Sequence, residues 1–223
     1  MLNAPNRPLV SGSVLRKEAC IFIIILNVIG LSIALLINLY AFLVNLSVLV
    51  LSILYSAPRI ALKERFLIKT LSIGSGGVLS IIFGGVAGGK LNLLVLYTAI
   101  IFFTFIFVSS PINDLADYKG DVANGRRTIP IIIGARLTIT LTIVISFSIF
   151  CFTLVSFSSL GFNILTPFLI ALVCTIAIHS AYSLLKNYND SKHVRKMHKR
   201  MVLLHLLLQA SLAIGSIDFI NIL

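Results

Sequence analysis

The chain has no tryptophan, only three cysteines and only seven acidic residues in 223. Three cysteines cannot make a disulfide framework. Cys20, Cys151 and Cys174 stand singly inside apolar runs, match no metal-ligand spacing and read as buried, reduced and structural. Charged residues of both signs are 11% of the chain, against about 25% in an ordinary soluble domain. That scarcity excludes a conventional soluble fold, because too few charges remain to cover a water-facing surface. The first nineteen residues are polar and basic, so no cleavable signal peptide is expected there.

What is abundant is apolar. Hydrophobic residues are 58% of the sequence, and the mean hydropathy is +1.07. Apolar runs near twenty residues recur along the whole chain, the length that crosses a hydrocarbon core of about 30 Å. They predict spans at roughly 19–38, 40–56, 69–88, 91–110, 131–156, 164–185 and 201–222. The expected fold is all-α, a polytopic transmembrane helical bundle of about seven spans, forming one integral-membrane domain over 1–223.

The net charge of +11 raises nucleic acid as a partner, but its distribution argues against that. The basic residues sit in short clusters between apolar runs, and every one except Lys90 falls on the same side of the alternation. By the positive-inside rule this places the N-terminus and the basic loops in the cytoplasm and the C-terminus outside, in a multi-pass protein of the cell membrane. The run from Lys192 to Arg200 reads as an anchor to anionic headgroups. His179 reads as a core histidine bonded to a neighbouring helix. Asn27, Asn38, Asn45 and Gln209 read as interhelical hydrogen-bonding groups. The glycines from Gly74 to Gly89 thin the third span, for close packing or for room beside it.

Chemistry concentrates in the segment PINDLADYKGDVANGRRTIP, from Pro111 to Pro130. If the fourth span continues through it as a helix, Asp114, Asp117 and Asp121 share one face within about 60°. Three carboxylates so placed repel, and near a membrane they are costly. Sharing a divalent cation lowers that cost, and hard oxygen ligands suit Mg²⁺, which takes one or two carboxylates and completes its shell with substrate phosphates. A solvated acidic loop balanced by Lys119, Arg126 and Arg127 is the plain alternative.

The spacing of this segment resembles the second aspartate-rich motif of the UbiA-type intramembrane prenyltransferases, D-x-x-D-x-x-G-D-x-x-x-G-x-x-T-x-P. Asp114, Asp117, Gly120, Asp121, Gly125, Thr128 and Pro130 all fall in place. The stretch from Asn3 to Gly12 is similar to the family's N-x-P-x-R-P-L-x-S-G segment. Tyr55, Pro58, Arg59 and Lys63 resemble its Tyr-x-x-Pro followed by basic residues. The resemblance implies transfer of a prenyl group from a prenyl diphosphate to a hydrophobic or lipid acceptor, with Mg²⁺ assisting loss of pyrophosphate. It implies that Asp117 and Asp121 bind the metal with Asp114 as third ligand or outer partner, that Arg7, Arg59, Lys63 and Lys119 contact the diphosphate, and that Tyr55 hydrogen-bonds it. Arg126 and Arg127 read mainly as lipid-surface charges.

The family fold has nine spans and a first motif, N-D-x-x-D-x-x-x-D, directly before the N-x-P segment. Here the last aspartate of that motif would fall just before Met1, so two spans and the first motif are expected to be missing. Within the family the string looks closest to the archaeal lipid branch, whose acceptor is geranylgeranylglyceryl phosphate. An aromatic acceptor of a quinone or chlorophyll pathway, a truncated inactive relative and a small transporter stand as alternatives.

Overall fold

The structure is a computed structural model and describes residues 8–58 and 60–217. All regular structure among them is helical, as expected. A short α1 (Pro8–Ser11) precedes α2 (Arg16–Ile37) and α3 (Leu39–Ser56). A 3₁₀ turn (Leu62–Glu64) leads to α4 (Ile68–Ala87) and α5 (Leu93–Ala116). The short α6 (Tyr118–Ala123) and α7 (Ile129–Ile133) then connect to α8 (Ala135–Ser156), α9 (Leu165–Asn187) and α10 (Ser191–Gly215).

Single asparagines break the apolar sequence into separate helices. Asn38 accepts from Ala41 N at 2.8 Å to cap α3, and Asn92 accepts from Val95 N at 3.1 Å to cap α5. Each satisfies one amide that the first turn of a helix leaves without a partner. Asn38 also donates to Val86 O at 3.1 Å, tying α3 to the end of α4. It is the one interhelical bond among the four polar residues expected to make them. Asn27 bonds within its own helix, to Ile23 O, and no such bond is found for Asn45 or Gln209 among the described residues.

The helices pack in two groups joined by α5. On one side α5, α8, α9 and α10 form a closed cluster, each touching two others of the set. On the other side α4 packs on α5, α3 on α4 and α2 on α3, in an open arc. The core belongs to the closed cluster, where Phe105, Ile112, Ile139, Ile170, Leu204 and Leu208 are almost wholly buried. Outward-facing side chains are apolar as well: Leu36 is 86% exposed and Val155 82%. Water would penalise such a surface, and lipid would not.

Six helices are long and apolar enough to cross a membrane, α2, α3, α4, α5, α8 and α9. The expected seventh span corresponds to α10, which differs from the others. Its first ten residues are dominated by Lys192, Arg195, Lys196, Lys199 and Arg200, and the predicted span runs on beyond the described residues. The fourth span is longer than expected, because α5 continues through Pro111 to Ala116 and carries Asp114 at its end.

The glycines of α4 serve close packing. A Cβ at Gly74 would meet the Phe103 ring at 2.7 Å, and one at Gly77 would meet Ile106 Cδ1 at 2.6 Å. The tightest approach lies elsewhere, where Gly215 of α10 faces Thr166 on α9. A Cβ there would stand 2.1 Å from Thr166 Oγ1 and 3.1 Å from Phe162. Gly215→Ala is therefore expected to cost about 1–3 kcal/mol through overpacking, read as a lower unfolding temperature in detergent. Gly84→Ala meets nothing within 4 Å and serves as the control.

Two expectations on buried groups need correction. Cys20 is exposed on α2 and Cys151 is half-buried, so only Cys174 is a core cysteine. His179 is exposed on α9 rather than bonded in the core. The histidine that bridges helices is His205 of α10. Its Nδ1 lies 2.7 Å from Met201 O, so that nitrogen carries the proton, and Nε2 accepts from Ser109 Oγ on α5 at 2.9 Å.

Candidate active site

The acidic segment is nearly one helix with a bend at its middle residue. Asp117 closes α5, with its amide bonded to Asn113 O at 3.2 Å, and also opens α6, where Asp121 N reaches back to Asp117 O at 2.9 Å. Asp114 and Asp121 are buried, at 1% and 2% exposure, while Asp117 is half-buried.

Each carboxylate meets a cation from a different part of the chain. Lys69 Nζ, in the first turn of α4, bonds Asp114 Oδ1. Arg126 bonds Asp121 Oδ1 at 3.0 Å. Arg195 of α10 bonds Asp117 Oδ1 at 2.9 Å. The site thus ties α4, α5, α6 and α10 together at the basic end of the bundle. Around Asp117, His198 is held below the ordinary histidine range by burial, an effect that Asp117 opposes and Arg195 reinforces.

The position of Arg126 follows from a local helix stop. Gly125 has φ +64°, Gly125 N bonds Val122 O at 3.0 Å and Arg126 N bonds Asp121 O at 2.9 Å. These paired bonds close α6 with a glycine in the left-handed region, where a Cβ is penalised. The chain reverses there, so the guanidinium five residues on folds back over Asp121. Gly120, by contrast, lies inside α6 with ordinary helical backbone.

Tyr55, near the end of α3, is half-buried and lines a groove of about 340 Å³ with Ser52, Ser72 and Gly76. Lys69, Asp114 and Arg126 all act on its hydroxyl electrostatically, which brings Tyr55 to the flank of the acidic pair. Lys63 sits half-buried in the 3₁₀ turn, outside every ion pair among the described residues. Lys119 is exposed on α6 and lines a different cavity, beyond Tyr118. Arg7 and Arg59 lie outside the described residues.

Of the cations that hold the carboxylates, the sequence offers only Arg126, as a balancing charge for the acidic segment. Arg126 is an ion-pair partner rather than a lipid-surface charge, and Arg195 belongs to the site as well as to a basic run. Lys69 is separated from Asp114 by 45 positions and Arg195 from Asp117 by 78. No spacing rule connects such residues; only the packing of α4 and α10 against α5 does.

As a metal holder the arrangement has the right donor atoms in two buried carboxylates. Asp114 Oδ2 is buried without a hydrogen-bond partner, the kind of oxygen that a hard cation would satisfy. Among the described residues no three acidic, histidine or cysteine side chains converge on one point. A Mg²⁺ here would take Asp114 and Asp121 first.

Residues 1–207 match the model of the UbiA prenyltransferase family. The chain belongs to that family. This UbiA member is 27% identical over 218 residues to digeranylgeranylglyceryl phosphate synthase of Methanosphaera stadtmanae, spanning 97% of this chain and 78% of the relative. It is 29% identical over 219 residues to the enzyme of the same name from Thermococcus sibiricus, spanning 97% and 75%. A solved structure from work on digeranylgeranylglyceryl phosphate synthase in membranes matches with a TM-score of 0.70 at 24% identity, over 96% of this chain and 75% of that one. The UbiA homologue of Archaeoglobus fulgidus bound to GPP and Mg²⁺ matches at 0.58 and 18%, over 96% and 76%. The chain is thus a multi-pass membrane prenyltransferase of the UbiA family, and the solved structures share its fold.

Proposed function

We propose that this prenyltransferase joins a geranylgeranyl group, taken from geranylgeranyl diphosphate, to geranylgeranylglyceryl phosphate. The observation that carries the reading is the buried Asp114–Asp121 pair with its cations Lys69 and Arg126 at the end of an apolar bundle. Relatives named for digeranylgeranylglyceryl phosphate support the acceptor.

The chemistry suits that geometry. As the allylic carbon–oxygen bond breaks, negative charge collects on the departing diphosphate. Lys69, Arg126 and the Tyr55 hydroxyl stand where such charge is stabilised. A bound Mg²⁺, held by Asp114 and Asp121 with Asp117 outside the immediate ligand set, would supply Lewis-acid stabilisation of the same oxygens. Lys63 and, by the sequence motif alone, Arg59 are further cations for the diphosphate, and the groove beside Tyr55, walled by Val48, Leu51 and Ile73, suits a prenyl tail. The acceptor hydroxyl oxygen forms the new bond to the allylic carbon, and pyrophosphate and the hydroxyl proton leave. Apolar helices around the site keep water from the allylic cation. In this reading 1–223 acts as one domain, with the acidic segment at the cytoplasmic face and the C-terminus outside.

Membranes carrying the chain, given labelled geranylgeranyl diphosphate and Mg²⁺, are expected to label geranylgeranylglyceryl phosphate. Offered hydroxybenzoate or naphthoate instead, they are expected to transfer no label. Label entering only the aromatic acceptors would overturn the lipid assignment and leave the prenyl transfer standing.

A further inference from the structure

A second cavity, of about 550 Å³, opens at the same end of the bundle. None of Asp114, Asp117, Asp121, Lys69 or Arg126 lines it. Its walls come from the end of α5 and the start of α6, the α7–α8 junction, and the turn between α9 and α10. Its volume falls in the range of small-molecule sites.

Two cations face this space, Lys119 and Arg136, and neither forms an ion pair among the described residues. Arg136 stands in the first turn of α8, where a cation is disfavoured by the positive end of the helix. That turn has no acidic residue and no capping side chain, because its N-cap is Gly134 with φ +86°. Ala135, Arg136 and Leu137 therefore add their free amides to the same wall. The N-terminus of α10 differs, since Asp190 accepts from Lys192 N at 2.9 Å and does not line the cavity. Among the described residues no carboxylate pairs with Lys119 or Arg136, so the positive charge at α8 and α6 is left open to the cavity.

Depth and polarity identify the balancing group. The cavity sits where two helices long and apolar enough to cross a membrane terminate, α5 at its end and α8 at its start. Leu115, Ile133 and Leu137 give it an apolar side, and Tyr118 and Tyr188 give it the amphipathic rings favoured at a membrane interface. A free phosphate has no use for that apolar side. A phosphate joined to acyl or prenyl chains uses both.

We propose that this cavity binds the phosphate headgroup of an anionic membrane lipid, seated between Lys119 and Arg136. The site is separate from the reaction centre and does not rest on the acceptor assignment. It has a bearing on catalysis, because the six-residue α6 presents Lys119 to the lipid and carries Asp121.

The absence of tryptophan makes the test direct. Tyr188→Trp gives the full chain a single indole on the cavity wall, and Leu137→Trp, on α8, is a second reporter should the first fail to fold. In phosphatidylcholine vesicles, a minor fraction of brominated phosphatidate is expected to quench this indole about fivefold more strongly than the same fraction of brominated phosphatidylcholine. Adding Lys119→Gln and Arg136→Gln is expected to erase the difference. Equal quenching by the two lipids would overturn the proposal, as would a preference that survives the double substitution. Displacement of the brominated phosphatidate by millimolar inorganic phosphate would assign the cavity to free phosphate instead.

Discussion

Replacing Asp121 by Asn is expected to lower prenyl transfer by at least about a hundredfold, the scale of losing one preorganised electrostatic contact to a developing charge. Asn keeps the size of the side chain, and Arg126 can still bond its amide oxygen, so the fold is expected to survive. What is lost is the negative charge that would hold a cation beside the diphosphate. Asp114→Asn is expected to act in the same direction, because Asp114 is buried beside it and presents the unpartnered Oδ2. The measurement is labelled transfer at saturating prenyl diphosphate over a Mg²⁺ titration, with unfolding temperature as the control for folding. Activity of either variant within tenfold of the parent would remove these carboxylates from the reaction.

Lys69→Met is expected to be the most damaging single change to stability. It leaves Asp114 at the buried end of a membrane span with no cation, and breaking one side of such a pair costs about 3–5 kcal/mol. Neutralising both partners is a different matter. Lys69→Met with Asp114→Asn is expected to recover most of the lost stability, because no uncompensated charge remains in the bundle. Thermal unfolding of the two single variants and the double variant, arranged as a cycle, measures the coupling. Additive losses would show that Lys69 and Asp114 do not act as a pair.

These expectations show where the sequence is informative and where it falls silent. Spans, charge alternation and the aspartate spacing are all local, so they can be read from residue order. The continuation of the fourth span through Pro111 is only conditional in the sequence, and a proline usually ends a helix. Pro111 does not, since it lies buried with the helix already packed on α4, α8 and α10. The three carboxylates can be picked out for the same local reason, because they lie in one short segment. Two of their cations cannot. Lys69 and Arg195 look like every other basic residue at the end of a span, and their roles arise only when distant helices meet. Arg126 was within reach, since a glycine that stops a helix just before an arginine foretells a side chain folded back on the preceding turn.

The packing order also sets a timetable for assembly. Helices α3 to α5 each touch the helix that precedes them, and α8 and α9 pair in turn. A chain emerging residue by residue can thus make these contacts as soon as each helix appears, with little loop entropy to overcome. Of the long helices, α10 must reach back farthest along the chain to find α5. Its arrival delivers His205 to Ser109 and Arg195 to Asp117. The acidic segment therefore waits, incompletely neutralised, until α10 is in place, and a contact made far along the chain completes a site laid down much earlier.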